Sequence, residues 1–234
     1  MLDDLDDNVL KDVRKVFSRL KKNGYDPKII FDVGASYTGW SCYVKKVFPE
    51  AEYYLFEPLV NYYSAYQDFI KKSLDMFPSF KLYQIALGEK SGELTMNLFL
   101  DNVSASTALD MTNTGIQTTP VKVKMLAIDD AVESLKLPLP QVIKIDTQGY
   151  ELSILKGAQN TLPHVDILLL ECWLYLGYGK HTPLLTEIIE WLMPFHFRLW
   201  DMVEPYRNED GSLAAIDCFF VNTQSRITPD WYYA

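Results

Sequence analysis

Four times along this chain a short, mostly apolar run stops at a carboxylate. Ile29-Ile30-Phe31 ends at Asp32, Tyr53-Tyr54-Leu55-Phe56 at Glu57, Val142-Ile143-Lys144-Ile145 at Asp146, and Ile167-Leu168-Leu169-Leu170 at Glu171. Runs this short, rich in branched and aromatic side chains, read as strands buried on both faces. Segments with helical spacing follow them, at residues 38–47, 60–75, 149–162 and 183–193. Strands alternating with helices imply a mostly parallel sheet covered on both sides, a doubly wound α/β fold. An acid at the carboxyl end of such a strand stands where ligands bind in sheets of this kind.

The rest of the chain fits around that frame. Residues 4–22 predict an amphipathic helix with Leu5, Val9, Leu10, Val13, Val16, Phe17 and Leu20 on one face. Gly24 and Pro27 stop it, so residues 1–27 form a helical extension ahead of a single domain, 28–234. Further strands are expected at 80–87, 93–100 and 121–126, and a short helix at 127–135. Residues 101–120 are rich in Ser, Thr and Asn and have no period. They read either as a solvated loop or as an active-site loop, since long loops in compact domains are often functional. After residue 193 the rhythm changes: 195–201 and 214–222 are strand-like with no helix between, an antiparallel hairpin on one sheet edge.

Charge and cysteine content narrow the function classes. At net charge −9 the chain lacks the basic face of a nucleic-acid binder and is disfavoured on anionic membranes. Cys42, Cys172 and Cys218 are widely spaced and odd in number, which suggests neither a disulfide framework nor a zinc site. The acidic start "MLDDLDD" is unlike a signal peptide, and no apolar run approaches a membrane span. A cytoplasmic enzyme is the expectation, with a homodimer as one assembly open to it.

The turn after the first strand, Gly34-Ala35-Ser36-Tyr37-Thr38-Gly39, asks what it holds. A dinucleotide fingerprint needs a glycine where Ser36 stands, and a P-loop needs Lys-Ser/Thr where Trp40-Ser41 stand. A phosphate-free ligand with an aminoacyl group and a cationic sulfur fits better. Asp32 can meet its ammonium or merely shape the turn, Gly34 permits close backbone approach, and the amides at the helix start can meet its carboxylate. Glu57 is placed to accept hydrogen bonds from ribose hydroxyls, and Ile85-Ala86-Leu87 to flank an adenine ring.

With these parts in place, the chain resembles the FkbM-type S-adenosylmethionine-dependent methyltransferases over roughly residues 28–172. The most specific element is "IKIDTQGYELSILKGA" (143–158); "FDVGASYTGWS", "YLFEP", "IALGEKSGEL" and "SAST" (104–107) follow the family's order. Aligned without a gap, Thr38 stands at the family's second turn glycine and Gly39 one place later. The resemblance implies a class I methyltransferase (Rossmann-like) fold, a mostly parallel seven-stranded sheet with the C-terminal antiparallel hairpin and strand order 3-2-1-4-5-7-6. It implies S-adenosylmethionine as cofactor, S-adenosylhomocysteine as product, and methylation most often of a hydroxyl on a natural product, sugar or glycan. The cofactor-binding residues it implies are Gly34, Ala35, Ser36, Tyr37, Thr38, Gly39 and Trp40 of the turn with Asp32, then Glu57, Pro58, Ile85, Ala86, Leu87, Ser104, Ser106 and Asp146.

Asp146 is the first catalytic candidate, to orient the acceptor or accept its proton, unless it only caps the following helix. Glu171 is the second, unless it is a structurally paired buried acid, and His181 the third, unless it is an exposed loop residue. Trp173, Tyr175 and Tyr178 read as walls for a small-molecule or sugar acceptor or as core, and Glu151 as a hydrogen-bonding support of the site. No metal is expected, because two carboxylates at these spacings are weak ligand evidence. N-methylation of a small-molecule amine and a non-catalytic binding module of the same fold are the alternatives.

Overall fold

The computed structural model describes residues 10–112, 115–225 and 227. Helix α1 (Lys11–Lys22) leads into β1 (Ile29–Val33), α2 (Gly39–Lys45), β2 (Glu52–Phe56), α3 (Gln67–Met76) and β3 (Phe80–Tyr83). Then come β4 (Ala86–Leu87), β5 (Gly92–Leu98), β6 (Thr119–Leu126), α4 (Ile128–Ser134), β7 (Val142–Ile145) and α5 (Glu151–Lys156). The chain continues through β8 (Ile167–Trp173), α6 (Leu185–Leu192), β9 (Phe197–Arg207) and β10 (Leu213–Asn222).

Seven strands form one sheet in the order β3-β2-β1-β7-β8-β10-β9. β1 runs parallel to β2 and β7, β2 to β3, and β7 to β8, whereas β10 is antiparallel to both β8 and β9. The expected hairpin at the sheet edge is present, and the strand order is that of the class I methyltransferases. The sequence turns back at β1, with β2 on one side and β7 on the other, and this is the topological switch point at which open α/β sheets bind ligands.

Period-2 alternation sorts the strand residues between two cores. Phe31, Val33, Ile143, Ile145, Leu168 and Leu170 pack with Ala131 of α4, Leu155 of α5 and Ile188 of α6. Ile30, Leu55, Val142 and Leu169 pack on the other side with Val13 and Phe17 of α1 and Val44 of α2. Helix α1 is therefore part of the core, and Phe17 meets Phe48, Trp40 and Phe219 edge to face. Asp32 and Lys144 are cross-strand partners in the β1–β7 ladder and share the α1–α2 side with Ile30 and Val142.

The structure corrects several sequence-based boundaries. The strand expected at 80–87 breaks, and β4 leaves the main sheet to join a second one, ordered β4-β6-β5. The hydrogen bond from Gly88 N–H to the Leu126 carbonyl, 3.0 Å, ties the start of this excursion to its end. Residues 60–66 form two 3₁₀ turns rather than the start of a helix, and α5 stops at Lys156 rather than near 162. Segment 101–120 contains a 3₁₀ turn, Val103–Ala105, and its end pairs in β6; its residues 113 and 114 lie outside the described residues, as do 4–9 of the first helix.

The end of α5 touches the β4 turn closely. A Cβ on Gly157 would lie 2.1 Å from the Gly88 carbonyl oxygen, and backbone on both sides leaves little room to yield. Gly157→Ala is expected to destabilise the fold by about 1–3 kcal/mol through overpacking. Urea denaturation checks this: the midpoint falls while the slope stays unchanged.

Candidate active site

A cavity of about 380 Å³ opens at the carboxyl ends of β1, β2 and β7. Its floor is the turn after β1. Gly34 has φ +74°, and a Cβ there would lie 1.9 Å from the Asp146 carbonyl oxygen, so only glycine lets the two strand ends meet. Ser36 and Thr38 also hold left-handed backbone, with φ 51° and 71°, a conformation costly for side-chain-bearing residues and often found at functional turns. Thr38 is buried and its Oγ1 lies 2.8 Å from Ser73 Oγ, which anchors the turn to α3. Gly34, Ala35, Ser36, Tyr37, Gly39 and Trp40 line the cavity.

Glu57 and Pro58, just beyond β2, line the opposite side. The Glu57 carboxylate is held by two amides: Ser36 N–H donates to Oε2 at 2.9 Å and Leu59 N–H to Oε1 at 2.8 Å. Burial pushes its pKa up to about 7, while these amides pull the other way. Ile85, Ala86 and Leu87 form an apolar ledge beside it, with Leu94 and Met96 of β5 facing the same space. Val103, Ser104, Ser106 and Ala108 complete this side, and Ser104 Oγ is 3.1 Å from Ser36 Oγ. The aperiodic segment thus lends residues to the wall.

A charged cluster forms the third side. Lys144 Nζ donates to the Gly34 carbonyl at 2.7 Å and lies 3.1 Å from Asp32 Oδ1 and 3.5 Å from Asp146 Oδ2. Burial alone would lower the Lys144 pKa, but the Asp32 and Asp146 charges outweigh it and hold the ammonium above its ordinary value. The Asp146 side chain is 40% exposed, and its Oδ1 accepts from Gln148 Nε2 at 3.0 Å. Asp217 of β10 also lines the cavity, its pKa raised to about 8 by burial and by Asp146. Glu151, fully buried, accepts through Oε1 from Thr147 N–H at 2.8 Å, Thr147 Oγ1 at 3.1 Å and Gly149 N–H at 3.2 Å. Those bonds shape the β7–α5 turn, so Asp146 does not cap α5, whose N-cap is Tyr150.

Several sequence-based candidates sit elsewhere than expected. Asp32 does not reach the cavity: it is sealed beneath Lys144, with Ser41 Oγ donating to its Oδ2 at 2.6 Å. Thr38 is likewise turned into the protein. Glu171 lies beside the cavity rather than in its wall; Trp173 Nε1 donates to it at 3.1 Å, and burial first, then Asp146, raise its pKa well above the carboxylate range. His181 is exposed on the loop after β8 and does not line this cavity. Trp173 is buried, with the rings of Tyr178 and Tyr175 edge-on at 5.1 and 6.0 Å, and Tyr178 Oη bonds Gln148 Oε1. This aromatic group therefore adjoins Asp146 through Gln148. Lys144, Gln148, Tyr63 and Asp217 are wall residues that sequence reasoning missed. Lys144 left a signal: a charge within a buried strand, two residues before Asp146 and so on the same face.

Glu151 generates a stability prediction. Burial raises its pKa from 4.5 to about 7, so the folded state binds a proton more tightly than the unfolded chain. Its contribution is full below about pH 4.5 and is lost as pH rises through the raised value. Glu151→Gln, permanently neutral, is expected to gain thermal stability relative to wild type at pH 8, with the difference shrinking towards pH 5. Melting curves at both pH values measure it, and an equal difference at each would refute the account.

The model of the methyltransferase FkbM domain matches residues 32–202. The hexuronic acid methyltransferase AglP of Haloferax volcanii is 25% identical over 179 residues, 76% of this chain and 70% of that protein. The crystal structure of methyltransferase FkbM from Methylobacillus flagellatus superposes with a TM-score of 0.53 at 17% identity over 82% of this chain, and this chain spans only 43% of that one. An rRNA methylase from Streptococcus thermophilus gives a TM-score of 0.50 at 7% identity, covering 91% of this chain and 95% of its own. The two structures speak to the fold alone. The family match runs from the carboxylate in β1 to the middle of β9 and so takes in both acid-ended strands that flank the cavity; the chain belongs to the methyltransferase FkbM family and is an enzyme.

Proposed function

We propose that the cavity binds S-adenosylmethionine and that the enzyme methylates a hydroxyl group of a sugar or another small molecule. The observation that carries the reading is the placement of Glu57 and Asp146 on one cavity, at the ends of β2 and β7, around the Gly34 turn and beside an apolar ledge. The donor set suits that cofactor. Glu57 keeps lone pairs for two ribose hydroxyls beyond the two amides it already accepts. Ile85, Ala86 and Leu87 suit an adenine ring, and the Gly34 turn suits the aminoacyl group. Phosphates are disfavoured: three carboxylates, Glu57, Asp146 and Asp217, line the cavity against one ammonium already paired with Asp32.

Bound there, S-adenosylmethionine supplies a methyl group on an electron-poor sulfur. The chain's own residues then have two tasks, holding the acceptor in line and taking its proton. Alignment is worth about 7–11 kcal/mol, whereas a general base adds roughly 10²–10⁴ in rate, so positioning is the larger share. Asp146 serves both: Gln148 orients its Oδ1, Lys144 lies 3.5 Å from its Oδ2, and its part-exposed carboxylate accepts the hydroxyl hydrogen bond and then the proton. Beside the cavity, the exposed Tyr175 and the half-buried Tyr178, which bonds Gln148, are the rings available to a sugar acceptor, with Trp173 buried behind them. The hexuronic acid named for the Haloferax volcanii relative supports a sugar acceptor. A small-molecule amine is the second reading, favoured by the pairing of Asp146 with Asp217 on one wall. Three free, buried cysteines support a reducing, cytoplasmic setting.

Titration calorimetry with S-adenosylhomocysteine, with NAD as control, tests the cofactor reading. Binding of the first alone is expected, and binding of NAD alone would overturn it. Glu57→Ala is expected to weaken S-adenosylhomocysteine binding about ten-fold or more. Asp146→Asn is expected to fold, to bind the same ligand, and to lose about 10²–10⁴ in turnover of a sugar acceptor. His181→Ala is expected to turn over like wild type, and a large loss there would restore it as a base.

A further inference from the structure

Three segments converge on Gln148. It lines the cavity in the turn between β7 and α5, and its backbone holds φ 58°, a left-handed conformation costly for a residue with a side chain. The conformation is held from outside the turn: Thr107, buried in the segment after β5, donates through Oγ1 to the Gln148 carbonyl at 2.7 Å. The side-chain Nε2 donates to Asp146 Oδ1 at 3.0 Å and lies 3.5 Å from Glu171 Oε1. The side-chain oxygen accepts from Tyr178 Oη, on the loop after β8. Chemistry fixes which way round this amide sits. A carboxylate only accepts, so the amide nitrogen must face Asp146; the oxygen is left for Tyr178, whose hydroxyl must then donate. Burial first, and then the Glu171 and Asp146 charges, push the Tyr178 pKa above its ordinary value, which keeps the hydroxyl a donor. Tyr178 is held in turn: its ring meets Trp173 edge to face at 5.1 Å, and its N–H donates to Thr182 Oγ1 at 2.9 Å.

We propose that Tyr178 and Gln148 are a positioning pair for methyl transfer: Tyr178 fixes the amide by its oxygen, and the amide N–H holds the Asp146 carboxylate towards the acceptor hydroxyl. The inference rests on Asp146 as the group that receives the acceptor's proton, and adds to that reading what aims it. Asp146 is 40% exposed, and its Oδ2 has only the longer contact with Lys144, 3.5 Å. The amide is therefore what keeps this carboxylate from turning out to water. In the reaction the acceptor oxygen bonds the methyl carbon, the carbon–sulfur bond breaks with its electron pair going to sulfur, and the hydroxyl proton passes to Asp146. Neither Tyr178 nor Gln148 exchanges a proton. A misaimed carboxylate costs rate rather than affinity, because alignment matters at the reacting atoms.

The test measures S-adenosylhomocysteine release from S-adenosylmethionine by the full chain, with glucuronic acid, glucose and glucosamine in turn as acceptors. Gln148→Met keeps the length of the side chain and removes the amide; kcat is expected to fall roughly 10–100-fold. Tyr178→Phe keeps the ring and frees the amide to turn over; its kcat is expected to fall about three- to ten-fold. In both variants the acceptor KM and the affinity for S-adenosylhomocysteine stay near wild type. The double variant is expected to lose no more than Gln148→Met alone, because Tyr178 acts only through the amide. In an Asp146→Ala background, Gln148→Met is expected to cost nothing further, a result that a merely structural role would not give. If Gln148→Met fails to fold, Tyr178→Phe and its loss of effect in the Asp146→Ala background decide. Wild-type kcat in either variant, or an undiminished loss without Asp146, overturns the pair and leaves the proposed function in place. Wild type that binds S-adenosylhomocysteine yet methylates none of the three acceptors overturns the sugar reading and the pair with it.

Discussion

The structure depends on one buried ion pair at the centre of the sheet. Asp32 and Lys144 face each other across the β1–β7 ladder, at the place where the strand order reverses. Removing two charges from water is costly, and their attraction repays this only when the remaining donors and acceptors are also satisfied. Here most of them are: Ser41 donates to Asp32 Oδ2, and Lys144 reaches the Gly34 carbonyl as well as both carboxylates, while Asp32 Oδ1 has the ion pair alone. The pair thus fixes the turn, the end of β7 and the Asp146 side chain in one arrangement. Replacing one partner alone would strand a charge in the core, a far larger loss than the pair itself contributes.

The electrostatics around that pair also set the cavity's chemistry. Glu57, Asp146 and Asp217 stand on three strands yet face one space, and burial raises the pKa of two of them towards neutrality. A ligand bearing positive charge relieves this crowding, and one bearing phosphates aggravates it. Hydrogen bonds divide Glu57, Glu151 and Asp146, the acids in and beneath the cavity wall, by role. Glu57 is fixed by backbone amides, Glu151 by the turn that it shapes, and Asp146 only by side chains, which leaves it the most exposed of the three.

Much of this was legible before any fold was seen, for a physical reason. Strands buried on both faces must be apolar, so the carboxylates that end them stand out, and Glu57 and Asp146 fall on the cavity as expected. The turn residues Gly34–Tyr37 follow from the same logic. What sequence could not reveal was where a side chain points. Asp32 and Glu57 read alike in the sequence, yet Asp32 falls inside β1, where Lys144 covers it, and Glu57 falls just past β2 and lines the cavity. Glu171 reads as a strand end, yet β8 runs on through it to Trp173, whose indole donates to it. The split of 80–87 was equally hidden, because its short strands carry residues suited to either sheet, and only tertiary pairing assigns β4 to β6.

The excursion between Gly88 and Leu126 carries one more implication. Its two ends are hydrogen-bonded at 3.0 Å, and the strands within it pair with each other, outside the seven-stranded sheet. Chain entering and leaving at one point can change length at little entropic cost to the rest. Leu94, Met96, Ser104 and Ser106 all ride on it. Part of the cavity wall is therefore carried by a loop-like segment closed at its base, whose length bears little on the Asp32–Lys144 centre.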